Sequence, residues 1–548
     1  MKKELLTYLR KIGVTDVHQV NDIIVSQYRD GKLHLEDVIY SFEYVISPSD
    51  RVINGSIYTP KYIRQQIIHR CLDQFSAARL STLRIADIAC GCGGFLMDVA
   101  EYIHLRTGKT FREIFRDNIY GIDIQDYSVE RTKILLSLLA LSYGESEDFA
   151  FNLIQADTLD FRSDTWNPEY TAFDVIVGNP PYVCSRNVSA ETKQKMLQYE
   201  VSRSGHPDLY IPFFQIAIEM LNEAGVLGYI TMNSFLRSVN GRMLREYFSR
   251  NRYNISIVDF RGYQVFPSKS TYTCLFFLHK SLPSDSLRYA ICENGKVDTT
   301  IDYISVPYAN LDNKKGWALN DFDNTLQQET VGVPLGKLCP SRHGIATLCN
   351  KVYIFKPIRE DDYYFYFEDN KKLISVEKGI CRDIVNSNKL NSEVEFATLI
   401  EKVIYPYLRQ SDGRISVLPE CDFISKYPRA YAYLQSHRAD LAKRDKGDQS
   451  KYPAWYAYGR TQSLQMPRYK LFFPKFANRP IRCVLSDNPD LLLYNGVAFV
   501  SDSRDLLLRV KTVMESNDFW QYVVKNAKPY ASDYFSVCGS DIKNYGVE

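Results

Sequence analysis

The sequence predicts an α/β protein. It reads as a Rossmann-like, seven-stranded, mostly parallel sheet covered on both faces, followed by a C-terminal mixed α/β module. Three observations predict this. Between about residues 51 and 280, short Ile- and Val-rich runs alternate with helical periods, the pattern of strands joined by crossover helices. A glycine loop, Asp87-Ile88-Ala89-Cys90-Gly91-Cys92-Gly93-Gly94, stands where the first strand turns into a helix. Beyond about residue 331 the alternation stops.

At 548 residues the chain exceeds one ordinary core, so at least two domains are expected. Residues 1–50 read as a helical N-terminal leader, with Leu5, Leu6, Leu9 and Ile12, then Val20, Ile23, Ile24 and Tyr28, at helical spacing. Residues 51–285 hold seven candidate strands: Leu83–Ala89, Ile119–Ile124, Phe151–Gln155, Phe173–Val177, Val226–Met232, Ile255–Phe260 and Thr273–Leu278. Helices are expected at Ile63–Phe75, Tyr127–Ala140 and Leu209–Leu221. Residues 286–330, rich in Asp, Asn and Pro, read as a linker. In residues 331–548, Lys351–Phe355, Tyr469–Phe473 and Ile481–Leu485 are short apolar pieces.

No apolar run approaches the roughly 20 residues of a membrane span, and Met1-Lys2-Lys3-Glu4-Leu5 lacks a signal-peptide core. A cytoplasmic protein is expected. Its 12 scattered cysteines read as free thiols. Cys90-x-Cys92 lacks the further ligands of a metal site and reads as two small residues in a tight loop. Net charge is only +2, but residues 441–482 concentrate bases: Lys443, Arg444, Lys446, Lys451, Arg460, Arg468, Lys470, Lys475, Arg479 and Arg482, against Asp445 and Asp448. Interleaved Tyr452, Trp455, Tyr456, Tyr458, Tyr469, Phe472, Phe473 and Phe476 suit nucleic-acid contact. A solvated basic face fits the same pattern equally well.

The glycine loop lets the backbone bend tightly and a ligand approach closely. Asp87 at its start would repel a phosphate, so the loop fits a ligand with a cationic amino-acid end better than a dinucleotide. Asp123 and Asp157 end the next two strands. An acid at the second strand end accepts ribose hydroxyls in nucleoside-binding sheets, and the third could take an exocyclic amine. Each alone reads as a loop acid or helix cap; their shared position favours one pocket.

The segment Phe173–Val177 runs into Gly178-Asn179-Pro180-Pro181-Tyr182. The prolines stiffen the loop and fix its carbonyl directions. An aromatic amine such as adenine N6 is a poor nucleophile because its lone pair is delocalised. Two acceptors on its hydrogens, the Asn179 side-chain oxygen and the Pro180 carbonyl, can localise that pair. Tyr182 offers a flat face for the base, a stack worth about 1–3 kcal/mol.

Residues from about 54 to 280 resemble the gamma-class N6-adenine DNA methyltransferases of restriction–modification systems. Gly55-Ser56-Ile57-Tyr58-Thr59-Pro60 is similar to that family's leading cofactor segment, Asp87 to Phe95 to its glycine loop, and Asn179 to Tyr182 to its catalytic tetrapeptide. Pro207-Asp208-Leu209-Tyr210 resembles the segment opening a helix beside the catalytic pocket, and Val265-Phe266-Pro267 the one whose Phe stacks on the flipped base. The loop carries Cys92 where the family often has Ser.

The resemblance implies a class I methyltransferase fold, S-adenosylmethionine as cofactor with S-adenosylhomocysteine as product, and no metal. The cofactor contacts implied are Tyr58, Thr59, Pro60, Asp87, Ala89, Cys90, Gly91, Gly93, Asp123, Ile124, Asp157, Thr158 and Asn179. Asn179, Pro180 and Tyr182 would be catalytic, with Tyr182 and Phe266 holding the base. The C-terminal module resembles a DNA target-recognition domain, in which Arg342, Lys443, Arg444, Arg460 and Arg468 are candidate DNA contacts. Double-stranded DNA is the implied partner, with a separate cognate restriction endonuclease, no membrane, and a monomeric enzyme without its own nuclease. RNA adenine-N6 or protein-glutamine methylation, and an inactive DNA-binding subunit, are the competing readings.

Overall fold

The computed structural model describes residues 17–44, 58–261, 263–266, 271–292, 295, 301–317, 319, 332–391, 395–411, 414–460, 463–465, 467–527, 529–530, 534–537 and 540–547. Leu5, Leu6, Leu9 and Ile12, the segment Gly55-Ser56-Ile57, and Pro267 lie outside the described residues. The chain divides into two compact units, Met1–Leu319 and Asn320–Glu548.

The first unit is built on one sheet. Its strands are β1 (Ile85–Asp87), β2 (Ile119–Asp123), β3 (Asn152–Gln155), β4 (Phe173–Gly178), β5 (Leu221–Met232), β6 (Asn254–Asp259), β7 (Thr273–His279), β8 (Ser286–Ile291) and β9 (Ile304–Pro307). They lie in the order β3-β2-β1-β4-β5-β7-β6-β8-β9. The pairings from β3 through β5 are parallel, and β7 inserts antiparallel between β5 and β6. Among the described residues the sheet therefore has nine strands, not seven. The two extra strands come from the segment read as a linker, where β8 pairs parallel with β6 and β9 antiparallel with β8.

Strand residues alternate between two apolar layers, as parallel strands covered on both faces must. Val175 and Val177 pack into one core cluster and Ile176 into the other. The helices that matter for the site are α1 (Val17–Arg29), α2 (Leu35–Tyr44), α3 (Lys61–Leu72), α4 (Gly94–Thr107), α5 (Asp126–Ser142), α6 (Ala190–Met196) and α7 (Tyr210–Met220). The leader helices α1 and α2 are not an appendage: Ile24, Val38, Ile39 and Phe42 are buried in the same cluster as α3, α4 and α5. Among the described residues no helix is long and apolar enough to cross a membrane.

The second unit is a mixed assembly of small sheets and helices. Among the described residues two four-stranded sheets are present, one of them built on Tyr469–Phe473 paired with Val497–Ser501. Helices Pro428–Ser436, Arg504–Met514 and Asn517–Asn526 accompany them. The piece Lys351–Phe355 is split between a helical turn, Asn350–Tyr353, and the strand Ile354–Phe355.

Candidate active site

The parallel register lines up the carboxyl ends of β1, β2 and β3, with Asp87 opposite Gly121 and Asp123 opposite Gln155. The acids that follow these strands therefore converge. Asp87 is buried and accepts from the Ala89 amide at 3.0 Å. Burial raises its carboxyl to about 7, against that hydrogen bond. Asp123 accepts from the Gly91 and Gln125 amides, each at 2.9 Å. Burial lifts it to about 6, these amide bonds holding it down in part. The chain turns from β1 into α4 through Gly93, which has φ 85° and caps the helix. A Cβ there would come within 2.7 Å of Thr132 Cγ2, so only glycine fits.

Asp157 caps the turn after β3 by accepting from the Leu159 amide at 3.0 Å. Its other oxygen takes Lys195 Nζ at 2.8 Å, and Lys195 also bonds Asp160 at 2.8 Å. Thr158 Oγ1 donates to the Ile88 carbonyl at 2.7 Å, tying the third strand end to the glycine loop.

Asn179 follows β4 directly. Its Nδ2 donates to Thr59 Oγ1 at 3.0 Å, which fixes the plane of the amide. Thr59 is itself held by Arg64, whose Nη1 donates to the Thr59 carbonyl at 2.7 Å and whose Nε reaches Asp98 at 2.8 Å. Downstream, Asp208 accepts from the Ser185 amide at 2.9 Å and the Leu209 amide donates to the Val183 carbonyl at 3.0 Å. These bonds anchor the loop after Tyr182 to the start of α7.

These residues surround a cavity of about 340 Å³. Of the thirteen cofactor residues expected, eleven line it: Tyr58, Thr59, Asp87, Ala89, Cys90, Gly91, Asp123, Ile124, Asp157, Thr158 and Asn179. Pro60 instead starts α3 and Gly93 caps α4. Cys90 and Cys92 are buried free thiols packed in the core. Ile39, Glu43, Arg64, Ser128 and Thr192 also line the cavity and were missed from sequence.

Tyr182 meets Phe266 edge to face, with centroids 6.2 Å apart, and Tyr210 at 6.4 Å. Its hydroxyl is buried without a hydrogen-bond partner among the described residues, and burial pushes the phenol well above its usual range. Phe266 is only 2% exposed and belongs to the core. It does not stand open as a base platform in this arrangement.

In the second unit the basic stretch dissolves into separate roles. Arg444 is not a surface cation. It is 6% exposed and donates to the carbonyls of Leu441, Ala457 and Trp455 at 2.8, 2.7 and 2.7 Å. Lys470 is likewise buried and donates to the Asn488 and Pro489 carbonyls at 2.7 and 3.0 Å. Arg460 pairs with Asp445 at 3.1 and 3.2 Å. Lys443 is exposed and 3.1 Å from Asp440. Arg342 and Arg468 are exposed, Arg468 lying over the Tyr469 ring at 5.4 Å. The aromatics Tyr456, Tyr458, Phe472 and Phe473 are buried core residues rather than a base-contacting row.

Residues 117–266 match the family described as Eco57I restriction-modification methylase. The chain is 28% identical over 491 residues to the Type II restriction enzyme and methyltransferase RM.Eco57I of Escherichia coli, an alignment covering 77% of this chain and 49% of that protein. It thus spans about half the length of that relative. It is 23% identical over 467 residues to the Type II methyltransferase M.BstVI of Geobacillus stearothermophilus, covering 78% of each. Among solved structures it is similar to the Type IIL restriction-modification enzyme MmeI in complex with DNA. That likeness has a TM-score of 0.65 at 14% identity and covers 93% of this chain and 70% of that one. The first unit has the Rossmann-like class I methyltransferase fold.

Proposed function

We infer that this chain, whose residues 117–266 match the Eco57I restriction-modification methylase family, carries a methyltransferase core. We propose that it transfers a methyl group from S-adenosylmethionine to adenine N6 at a specific site in double-stranded DNA, with the target base flipped out of the duplex. The observation that carries this reading is Asn179 in the wall of the cavity that also holds Asp87 and Asp123.

The cavity's donor set fits that cofactor. Burial holds the Asp87 carboxyl at about 7, a penalty that a ligand ammonium would relieve. Asp123 would accept from the ribose, and Asp157, oriented by Lys195, from the exocyclic amine of the cofactor's adenine. A bound cofactor would supply an electrophilic methyl and yield S-adenosylhomocysteine, with one N6 proton released to solvent. The protein's own work is polarisation and positioning. The Asn179 side-chain oxygen and the Pro180 carbonyl accept the two N6 hydrogens and turn the lone pair out of conjugation. Thr59 holds the Asn179 amide in plane. Tyr182 stacks on the base, offsetting part of the few kcal/mol that extrusion costs. Phe266, now packed against the edge of Tyr182, has to shift before its ring can meet a base.

DNA as the polymer is supported by the likeness to a DNA-bound restriction–modification enzyme. Asn179, rather than Ser or Asp, supports adenine over cytosine. The exposed Arg342, Lys443 and Arg468 are the proposed DNA contacts that remain. The reading takes the enzyme as a monomer working beside a separate cognate endonuclease.

The test is transfer of labelled methyl to duplex DNA, RNA and protein, followed by nucleoside separation. The expected product is N6-methyladenine from duplex DNA. Label in RNA or in protein glutamine transfers the reading to those rivals. Cofactor binding without any transfer marks an inactive DNA-binding subunit.

A further inference from the structure

The leader has no role in the reading so far, yet the fold spends buried charge to hold it. Arg131 on α5, 1% exposed, donates to the Phe42 carbonyl at 2.8 Å and to Asn21 Oδ1 at 3.1 Å. Its guanidinium also lies over the Phe42 ring at 5.4 Å. At the other end of α2, Glu36 bonds the buried Arg64 and accepts from the Tyr58 hydroxyl at 2.8 Å. Helix α2 is therefore pinned at both ends, one pin being the arginine that holds Thr59.

Glu36 and Glu43 are seven residues apart, so they share a helix face two turns apart. Glu36 pairs with Arg64, and Glu43, hydrogen-bonded with the Cys92 thiol, lines the cavity beside Ile39, Gly91, Asp123 and Ser128. A Cβ built on Gly91 would come 3.2 Å from Glu43 Oε1, and the Gly91 amide donates to Asp123 Oδ2 at 2.9 Å. The two carboxylates thus flank one glycine. Both oxygens of Asp123 already hold backbone amides, while a ribose presents two vicinal hydroxyls. Two carboxylates kept side by side repel each other, and ligand donors offset that cost.

We propose that Glu43 is a second ribose-binding carboxylate, sharing the vicinal hydroxyls of a nucleoside with Asp123, so that the leader completes the cofactor site. This rests on the cofactor reading above. A purely structural Glu43 would tie α2 to the glycine loop and be indifferent to the ligand's hydroxyls.

The test is calorimetry on the full chain with S-adenosylhomocysteine and its 2′-deoxy and 3′-deoxy forms, using wild type and Glu43→Gln. The charge-neutral ligand and near-isosteric substitution limit long-range field effects and refolding. Glu43→Gln is expected to weaken S-adenosylhomocysteine about tenfold, and at least one deoxy form much less, because the hydroxyl it served is gone. Retained binding of the deoxy form shows the variant is folded. Unchanged binding of S-adenosylhomocysteine by the variant overturns the proposal while leaving the cofactor reading intact. Equal weakening of all three ligands overturns it too. A wild-type chain that binds none of them removes the cofactor reading and this proposal together.

Discussion

Asp87 and Asp123 in the first unit, and Arg444 and Lys470 in the second, are charges drawn out of solvent, and the fold treats them oppositely. Arg444 and Lys470 are closed off by their own chain, donating to backbone carbonyls. Burial lowers Lys470 to about 8. Asp87 and Asp123 face a cavity: Asp87 accepts from the Ala89 amide, and Asp123 from the Gly91 and Gln125 amides and the Ser128 side chain. Burial raises them to about 7 and 6. A buried charge saturated by carbonyls is architecture. A buried charge lining a cavity and left without a counter-ion marks a place where a ligand supplies one.

The sharpest way to break this contrast is at the rim of the cavity. Asn179→Ala should lower methyl transfer by at least about 10²–10³-fold, the scale of losing one preorganised transition-state group. Cofactor affinity by calorimetry should change little. An equal fall in both would make Asn179 a cofactor anchor rather than a clamp. On the other side of the comparison, Arg444→Ala removes the buried donors that hold the Leu441, Ala457 and Trp455 carbonyls. It should cost the second unit about 2–4 kcal/mol in denaturant unfolding. Arg460→Ala, which removes only an exposed pair with Asp445, should leave the unfolding midpoint nearly unmoved. A stable Arg444→Ala protein would return that residue to the candidate DNA contacts.

The pH response should separate the two kinds of charge. Only ionised Asp87, whose carboxyl burial raises to about 7, attracts the ligand ammonium. S-adenosylmethionine affinity should therefore rise about tenfold from pH 6 to pH 8, a profile that Asp87→Asn flattens. Stability without ligand runs the other way. These carboxyls keep their protons until about 7 and 6, whereas unfolded aspartates lose theirs near ~4. Their contribution is thus present at pH 4 and lost as pH rises through 7. The smallest effect is expected at the exposed cations. Lys443→Gln and Arg468→Gln should each reduce the slope of log K against log salt by about 0.9 if each meets one phosphate. An unaltered slope places the phosphate contacts elsewhere.

The sheet was legible because strands covered on both faces read as Ile- and Val-rich runs, and β1 to β7 lie within the expected segments or a few residues beyond them. Strands β8 and β9 were not. Ser286–Ile291 mixes buried and exposed positions, and Ile304–Pro307 is a short, mostly exposed edge ending in proline; neither gives a continuous apolar run. The acids at the strand ends were legible because their position is local to each strand. Glu43 was not, since its approach to Gly91 spans two elements distant in sequence and depends on how α2 is pinned. The basic stretch misled because composition cannot tell a cation that donates to carbonyls from one in solvent. Arg444 and Lys443 are adjacent in sequence and opposite in environment. Lys195 carried no signal beyond being one of two lysines in α6, and only the fold brings it to Asp157.

Methylation-aware sequencing of DNA from cells expressing the wild-type chain or Asn179→Ala asks whether the proposed Asn179–Pro180 clamp methylates adenine at N6. N6-methyladenine is expected at one short recurring sequence with the wild type and is expected to be lost with the variant. A mark on cytosine N4, or an adenine mark that survives in the variant, would contradict that assignment.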